Sequence, residues 1–200
     1  MKELNMPNLY SDYIGTIISE SIQPQNDLVP YIKKYLFFKN NNVTNRVQFK
    51  IISNAQLEMN ICYDTSCFLI DEGEKEFKYS AFVSGIFDLQ KPLYYKPIAK
   101  SGLFKCVTIA FTFSGVYQLL GLDLNSLTNT MVDVQTIFGK HANELIHKME
   151  ESSSVSGKVE ILNGFFIDRL TNQKKKLLPN IYCRYMIQLL EITDVVQLMA

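Results

Sequence analysis

The chain has 200 residues, and 20 basic side chains balance 20 acidic ones for a formal net charge of zero. A surface built to coat phosphate carries a basic excess, so this balance argues against a chain whose main task is to bind nucleic acid. Hydrophobic residues at 47% and charged residues at 20% are the mix of a folded globule, large enough to build a core without metal or disulfide staples.

The first half reads as strands. Tyr31 to Phe38 is an aromatic, apolar run behind Pro30. Val47, Phe49 and Ile51 alternate with Gln48, Lys50 and Ile52, and Leu57, Met59, Ile61 and Tyr63 alternate with Glu58, Asn60 and Cys62. A period of two marks a strand with one buried face. Tyr79 to Phe87, Leu93 to Ile98 and Phe104 to Phe113 continue the series, with Asn- and Gly-containing turns between. About seven strands are expected, folded as a sandwich or small barrel.

From Ser114 the period lengthens to that of helices. Val116, Leu119, Leu120 and Leu122 fit one helix face, Leu145, Ile146 and Met149 a second, and Val159, Leu162, Phe165, Phe166 and Leu170 a third. A last helix is expected over Ile181 to Leu190. Strands first and helices second is the α+β class, with a β unit over 1–113 and a helical subdomain over 114–200.

No catalytic constellation stands out. His141 and His147 are six apart, too far round a helix to share a metal, and the β half contains no histidine. Ser84-Gly85 and Ser114-Gly115 lie outside any nucleophile elbow, and Gly115 and Gly121 make no phosphate loop. Glu150 and Glu151 are adjacent on a helix and point about 100° apart. Lys174 to Lys176 complements a helix C-terminus. Cys62, Cys67, Cys106 and Cys183 contain no Cys-x-x-Cys pair, so buried free thiols in a reducing compartment are expected rather than zinc or disulfides. No signal peptide and no apolar run of ~20 residues is present. The expectation is a cytoplasmic protein with no membrane partner, no metal and no cofactor, and not an enzyme.

The aromatic load is the positive signal, with 13 Phe and 11 Tyr. Most must be core, but tyrosines in a small barrel also line pockets with apolar walls and a few hydroxyls.

Several motifs then occur in a fixed order. Phe111, Ser114-Gly115, Tyr117, Leu119-Leu120-Gly121 and Leu127-Thr128-Asn129 are followed by Val132, Phe138-Gly139, Leu145, Leu162, Phe165-Phe166 and Arg169-Leu170. Leu28, Pro30-Tyr31 and Val83-Ser84-Gly85 precede them. Over roughly residues 20 to 172 this order and spacing resembles the N-terminal regulatory domain of a group of AraC-type bacterial transcription regulators. Phe113 stands where that group often has proline, and Asn54-Ala55 where it often has Asp-Gly.

The resemblance implies a cupin-like β-barrel followed by helices, used for sensing and often for dimerisation. It also implies a DNA-binding part with two helix-turn-helix units. Met186 to Ala200 looks like the approach to the first of these, so DNA would be met only through a domain outside these 200 residues. The expected function is therefore a ligand-sensing and dimerising domain. The alternative is a stand-alone cupin-like binding or interaction module without a link to DNA. An effector would be neutral or partly apolar and would enter the barrel, with Tyr63, Tyr79, Ser84, Tyr94 and Phe111 as candidate contacts. Tyr63 is expected to point inward because it shares a face with Leu57, Met59 and Ile61. A homodimer is expected through the helical half, with Leu145, Met149, Phe165 and Phe166 as candidate interface residues.

Overall fold

The computed structural model describes residues 17–40, 49–51, 57–64, 66–71, 76–85, 93–99 and 103–174. In chain order the strands are β1 (Ile17–Ile22), β2 (Ile32–Asn40), β3 (Phe49–Ile51), β4 (Leu57–Tyr63), β5 (Ser66–Asp71), β6 (Glu76–Tyr79), β7 (Ala81–Ser84), β8 (Leu93–Ala99), β9 (Phe104–Phe111) and β10 (Met131–Asp133). A short helix α1 (Phe113–Gly115) runs on into a π-helical turn (Val116–Leu120). After it come α2 (Val134–Phe138), α3 (Lys140–Glu151) and α4 (Val155–Lys174). The helix expected over Ile181 to Leu190, Cys183 and the segment Met186 to Ala200 lie outside the described residues.

Among the described residues two sheets form, with every strand pair antiparallel. One runs β1-β2-β9-β4-β7-β10 and the other β3-β8-β5-β6. They meet through Phe68 of β5, which packs edge-to-face on Phe82 at 5.4 Å and on Phe104 at 5.0 Å. The expected run Tyr79 to Phe87 is divided at Ser80: β6 pairs with β5 in the smaller sheet, while β7 pairs with β4 in the larger. Strands β1, β5 and β10 were not anticipated. The last of these sits between the helices in sequence and pairs with β7.

The helices cover one face of the larger sheet. Leu57, Met59, Ile61, Val83, Val107, Ile109 and Phe111 form one hydrophobic cluster with Leu145, Met149, Leu162 and Phe166. A β-bulge at Lys33 in the β2–β9 ladder lets Ile32 and Tyr35, three apart, face the same side. Helix α4 is held across this face by Phe166, edge-to-face on Phe111 at 5.7 Å, and by Asn163, whose Oδ1 accepts from the Tyr35 hydroxyl at 3.0 Å and from the Gln25 amide at 3.2 Å.

Two close backbone crossings fix the turn from sheet to helices. A Cβ on Gly115 would lie 1.9 Å from the Tyr31 carbonyl oxygen, and one on Gly85 would lie 1.7 Å from that of Leu127. Only glycine permits either approach. Thr112 caps α1, its hydroxyl accepting from the Gly115 amide at 3.0 Å. The hydroxyls of Thr112 and Ser114 both donate to the Pro30 carbonyl at 2.9 Å.

Candidate functional site

Strand register maps the other face of the larger sheet, the side from which β5 approaches. Across β2, β9, β4, β7 and β10, one row reads Lys34, Ala110, Glu58, Ser84 and Met131. The next row reads Leu36, Thr108, Asn60, Phe82 and Asp133. A third reads Phe38, Cys106 and Cys62. One end of this face is therefore polar and the other aromatic and thiol-lined.

The polar end is internally bonded. Thr108 Oγ1 donates to Asn60 Oδ1 at 2.6 Å, which leaves the Asn60 amide protons as donors. Ser84 Oγ donates to the Glu58 carbonyl at 3.4 Å. Burial pushes the Glu58 carboxyl above its ordinary range, and the Lys34 ammonium partly opposes this. Ala110 separates the two along the row and contributes only a methyl group. Such a face offers a carboxyl, amide donors and hydroxyls next to an aromatic patch, which suits a small molecule with one polar and one apolar end.

The sequence candidates do not converge on one cavity. Ser84 belongs to the polar row. Tyr79 is on the same side, packed on Phe82 at 6.0 Å in the aromatic cluster. Tyr63 and Phe111 lie on the opposite face, beneath the helices. The inward orientation expected for Tyr63 is thus corrected. The apolar face it shares with Leu57, Met59 and Ile61 is the one the helices bury, in one cluster with Leu145, Met149, Leu162 and Phe166. Tyr63 carries the Lys158 ammonium 4.9 Å above its ring, and burial pushes its phenol up. Tyr94 is in β8, opposite Lys50 and Asp71, and its side chain lies outside the described residues.

Lys34, Glu58, Asn60 and Thr108 were missed. Alternation in 57–63 gives the even positions no partner, and only the placement of a second sheet shelters them. The available signal was their identity, since Glu and Asn flank Met59 in a strand that turned out to be central.

The interface candidates also need correction. Leu145, Met149 and Phe166 are buried inside the chain, filling the space between α3, α4 and the sheet. Phe165 alone stays half-exposed, stacked edge-to-face on Phe138 at 5.0 Å. It lines an open groove of about 700 Å³ between the π-helical turn, α3 and α4, whose wall also includes Tyr117, Ile161 and Arg169. Arg169 ties α4 to the π-helical turn and to α2, its Nε donating to the Leu119 carbonyl at 3.1 Å and its guanidinium lying 4.6 Å over the Phe138 ring. Among the described residues no group of three or more His, Cys, Asp or Glu side chains is placed to hold a metal ion. No helix among them is long and apolar enough to cross a membrane.

No family model matches the chain. No curated protein matches it either. Solved structures do. The hydroxypropylphosphonic acid epoxidase from S. wedmorenis is 8% identical with a TM-score of 0.35, over 48% of this chain and 50% of that one. HppE with cobalt(II) and Tris buffer is 11% identical, also at 0.35, over 52% and 60%. A cupin domain from Bordetella pertussis Tohama I is 8% identical with a TM-score of 0.31, over 49% of this chain and 95% of that one. The chain spans half the length of the first epoxidase chain. The antiparallel sheets and the helices that follow most of them fit the α+β class. The expectation that the chain is not an enzyme is withdrawn, since the solved structures it is similar to include an epoxidase. At these TM-scores the likenesses carry no argument for any particular activity.

Proposed function

We propose that the chain is the ligand-sensing and dimerising regulatory domain of an AraC-type transcription regulator, with its effector on the polar and aromatic face of the larger sheet. What supports this reading is that the motif residues behind the resemblance meet in space. Pro30 and Tyr31 contact Thr112, Ser114 and Gly115, some 80 positions away. Gly85 touches Leu127, and its amide donates to the Thr130 carbonyl at 3.3 Å. Arg169 reaches Leu119 and Phe138. The shared pattern thus corresponds to the junctions that hang helices on a sheet, which is the feature a common regulatory architecture would preserve. Apart from Ser84 it lies outside the proposed ligand site, so effector chemistry is free to differ within such a group.

The effector in this reading is small and partly apolar, with its polar end on Glu58, Asn60 and Ser84 and its apolar end toward Phe82. Recognition rests on hydrogen bonds and ring contacts. Dimerisation runs through the groove beside Phe165. A metabolite screen by thermal shift tests the site. A ligand at 100 times its dissociation constant adds about 2.7 kcal/mol of stability, and that gain disappears in Asn60→Ala while persisting in Phe165→Ser. A ligand whose effect survives Asn60→Ala and Glu58→Gln binds elsewhere and overturns the assignment. Sedimentation at tens of micromolar tests the second part, where a monomer in the wild type counts against the dimer.

A further inference from the structure

The thiol end of the same face carries a chemistry that effector binding does not use. Cys62 on β4 and Cys106 on β9 stand directly opposite each other in the antiparallel ladder. The Cys62 amide donates to the Ser80 carbonyl at 2.7 Å, on the β7 side. In an antiparallel strand a residue's N–H and C=O point the same way, so Cys62 directs neither toward β9. Cys62 and Cys106 are therefore a non-hydrogen-bonded pair, the closest cross-strand arrangement, with a Cα separation of about 4.5 Å. A disulfide accepts Cα separations of roughly 4.4–6.8 Å, so this spacing admits the bond. Cys106 Sγ lies 3.6 Å from the Val107 carbonyl. Cys67 is nearby, but its neighbour Phe68 is the residue of β5 that faces this cluster, which turns Cys67 to the other side of its strand.

We propose that Cys62 and Cys106 form a thiol oxidation site at which a small, uncharged hydroperoxide makes a cross-strand disulfide. One sulfur attacks the peroxide oxygen, giving a sulfenic acid and releasing water or an alcohol. The second sulfur displaces hydroxide from the sulfenic sulfur, and the two thiol protons leave in the products. With hydrogen peroxide the balance is two thiols and one peroxide to one disulfide and two waters, the sulfurs losing two electrons and the peroxide gaining them. The class of oxidant follows from the surroundings. Both thiols are 1% exposed behind Phe68, Phe82 and Phe104, an apolar enclosure that admits a small neutral molecule and bars a charged disulfide such as oxidised glutathione. Burial also keeps Cys62 in its protonated form, so the reaction is slower than that of an open thiol. The product would tie β4 to β9 at the centre of the six-stranded sheet.

The test uses the full chain in native buffer. After treatment with hydrogen peroxide, a non-reducing digest analysed by mass spectrometry should contain one peptide pair joined through Cys62 and Cys106. Dithiothreitol should release it, and melting should occur on the order of 5 °C higher before reduction than after. Oxidised glutathione at equal concentration should form the link at least tenfold more slowly. Cys67→Ala should retain the link and Cys106→Ala should lose it, while the wild-type digest needs neither variant to fold. A link through Cys67 instead, a link that forms only in denaturant, or equal rates with both oxidants would overturn the proposal.

Discussion

The two faces of the six-stranded sheet are built from the same strands and differ in what covers them. The odd-numbered positions of β4, with Val107, Ile109 and Phe111 of β9, form an apolar surface under α3 and α4. Even-numbered positions carry Glu58, Asn60, Thr108 and the thiols, facing the side of the smaller sheet. The helix-facing side has the packing expected of a core that sets stability. The other side holds polar groups that cost burial energy unless they are bonded, as Asn60 and Thr108 are. A protein that keeps such groups in a sheltered position when apolar ones would be more stable has a use for them, and this is why the candidate site is placed there.

That comparison is broken most directly on the helix-facing side. Phe166→Ala should lower stability by about 3–5 kcal/mol in urea denaturation, because the ring fills the contact with Phe111 and Phe165. The same experiment on Phe82→Ala, in the smaller cluster, should cost less, since fewer elements close over it. Equal losses would show that the two faces contribute equally to the core. Gly85→Ala comes next. Its methyl group would meet backbone rather than a movable side chain, and a loss of roughly 3 kcal/mol is expected, with Gly115→Ala behaving alike.

Smaller effects sharpen the picture. Tyr35→Phe removes the hydroxyl that ties β2 to Asn163 of α4, and about 1 kcal/mol should be lost without any change in ligand response. Glu58 gives the smallest effect and one with a sign. Its carboxyl titrates higher in the folded chain than in the unfolded one, so the folded state binds the proton more tightly. Stability should fall as pH rises from the ordinary glutamate value through the raised folded one. Glu58→Gln should flatten that part of the pH–stability curve and leave the chain slightly more stable above it. A wild-type curve that rises across this window would show that Lys34 outweighs burial.

Local pattern alone determined a good part of this molecule. The alternation in 57–63 and the apolar run in 104–111 identify β4 and β9, and spacings of three and four between Val159 and Leu170 identify α4. The α+β order and the motif residues at the junctions were also legible, because turns, caps and close glycines are constraints on nearby backbone. The assignment of faces was not. Alternation shows that a strand has two sides, yet in a strand buried on both it does not say which side meets helices and which meets a second sheet. Tyr63, expected to point into the barrel, lies under the helices for that reason, and Glu58 and Asn60 share the face on the side of the smaller sheet. The break at Ser80 escaped for a related one: Tyr79 and Phe82 have similar side chains, and only their partners, Phe68 in one sheet and Asn60 in the other, assign them to different sheets. Leu145, Met149 and Phe166 looked like an interface because an apolar stripe reads the same whether it meets another copy of the chain or the chain's own sheet. Periodicity is a property of one segment, whereas the identity of the surface that buries it depends on residues 50 to 100 positions away, and that was decided by the tertiary structure.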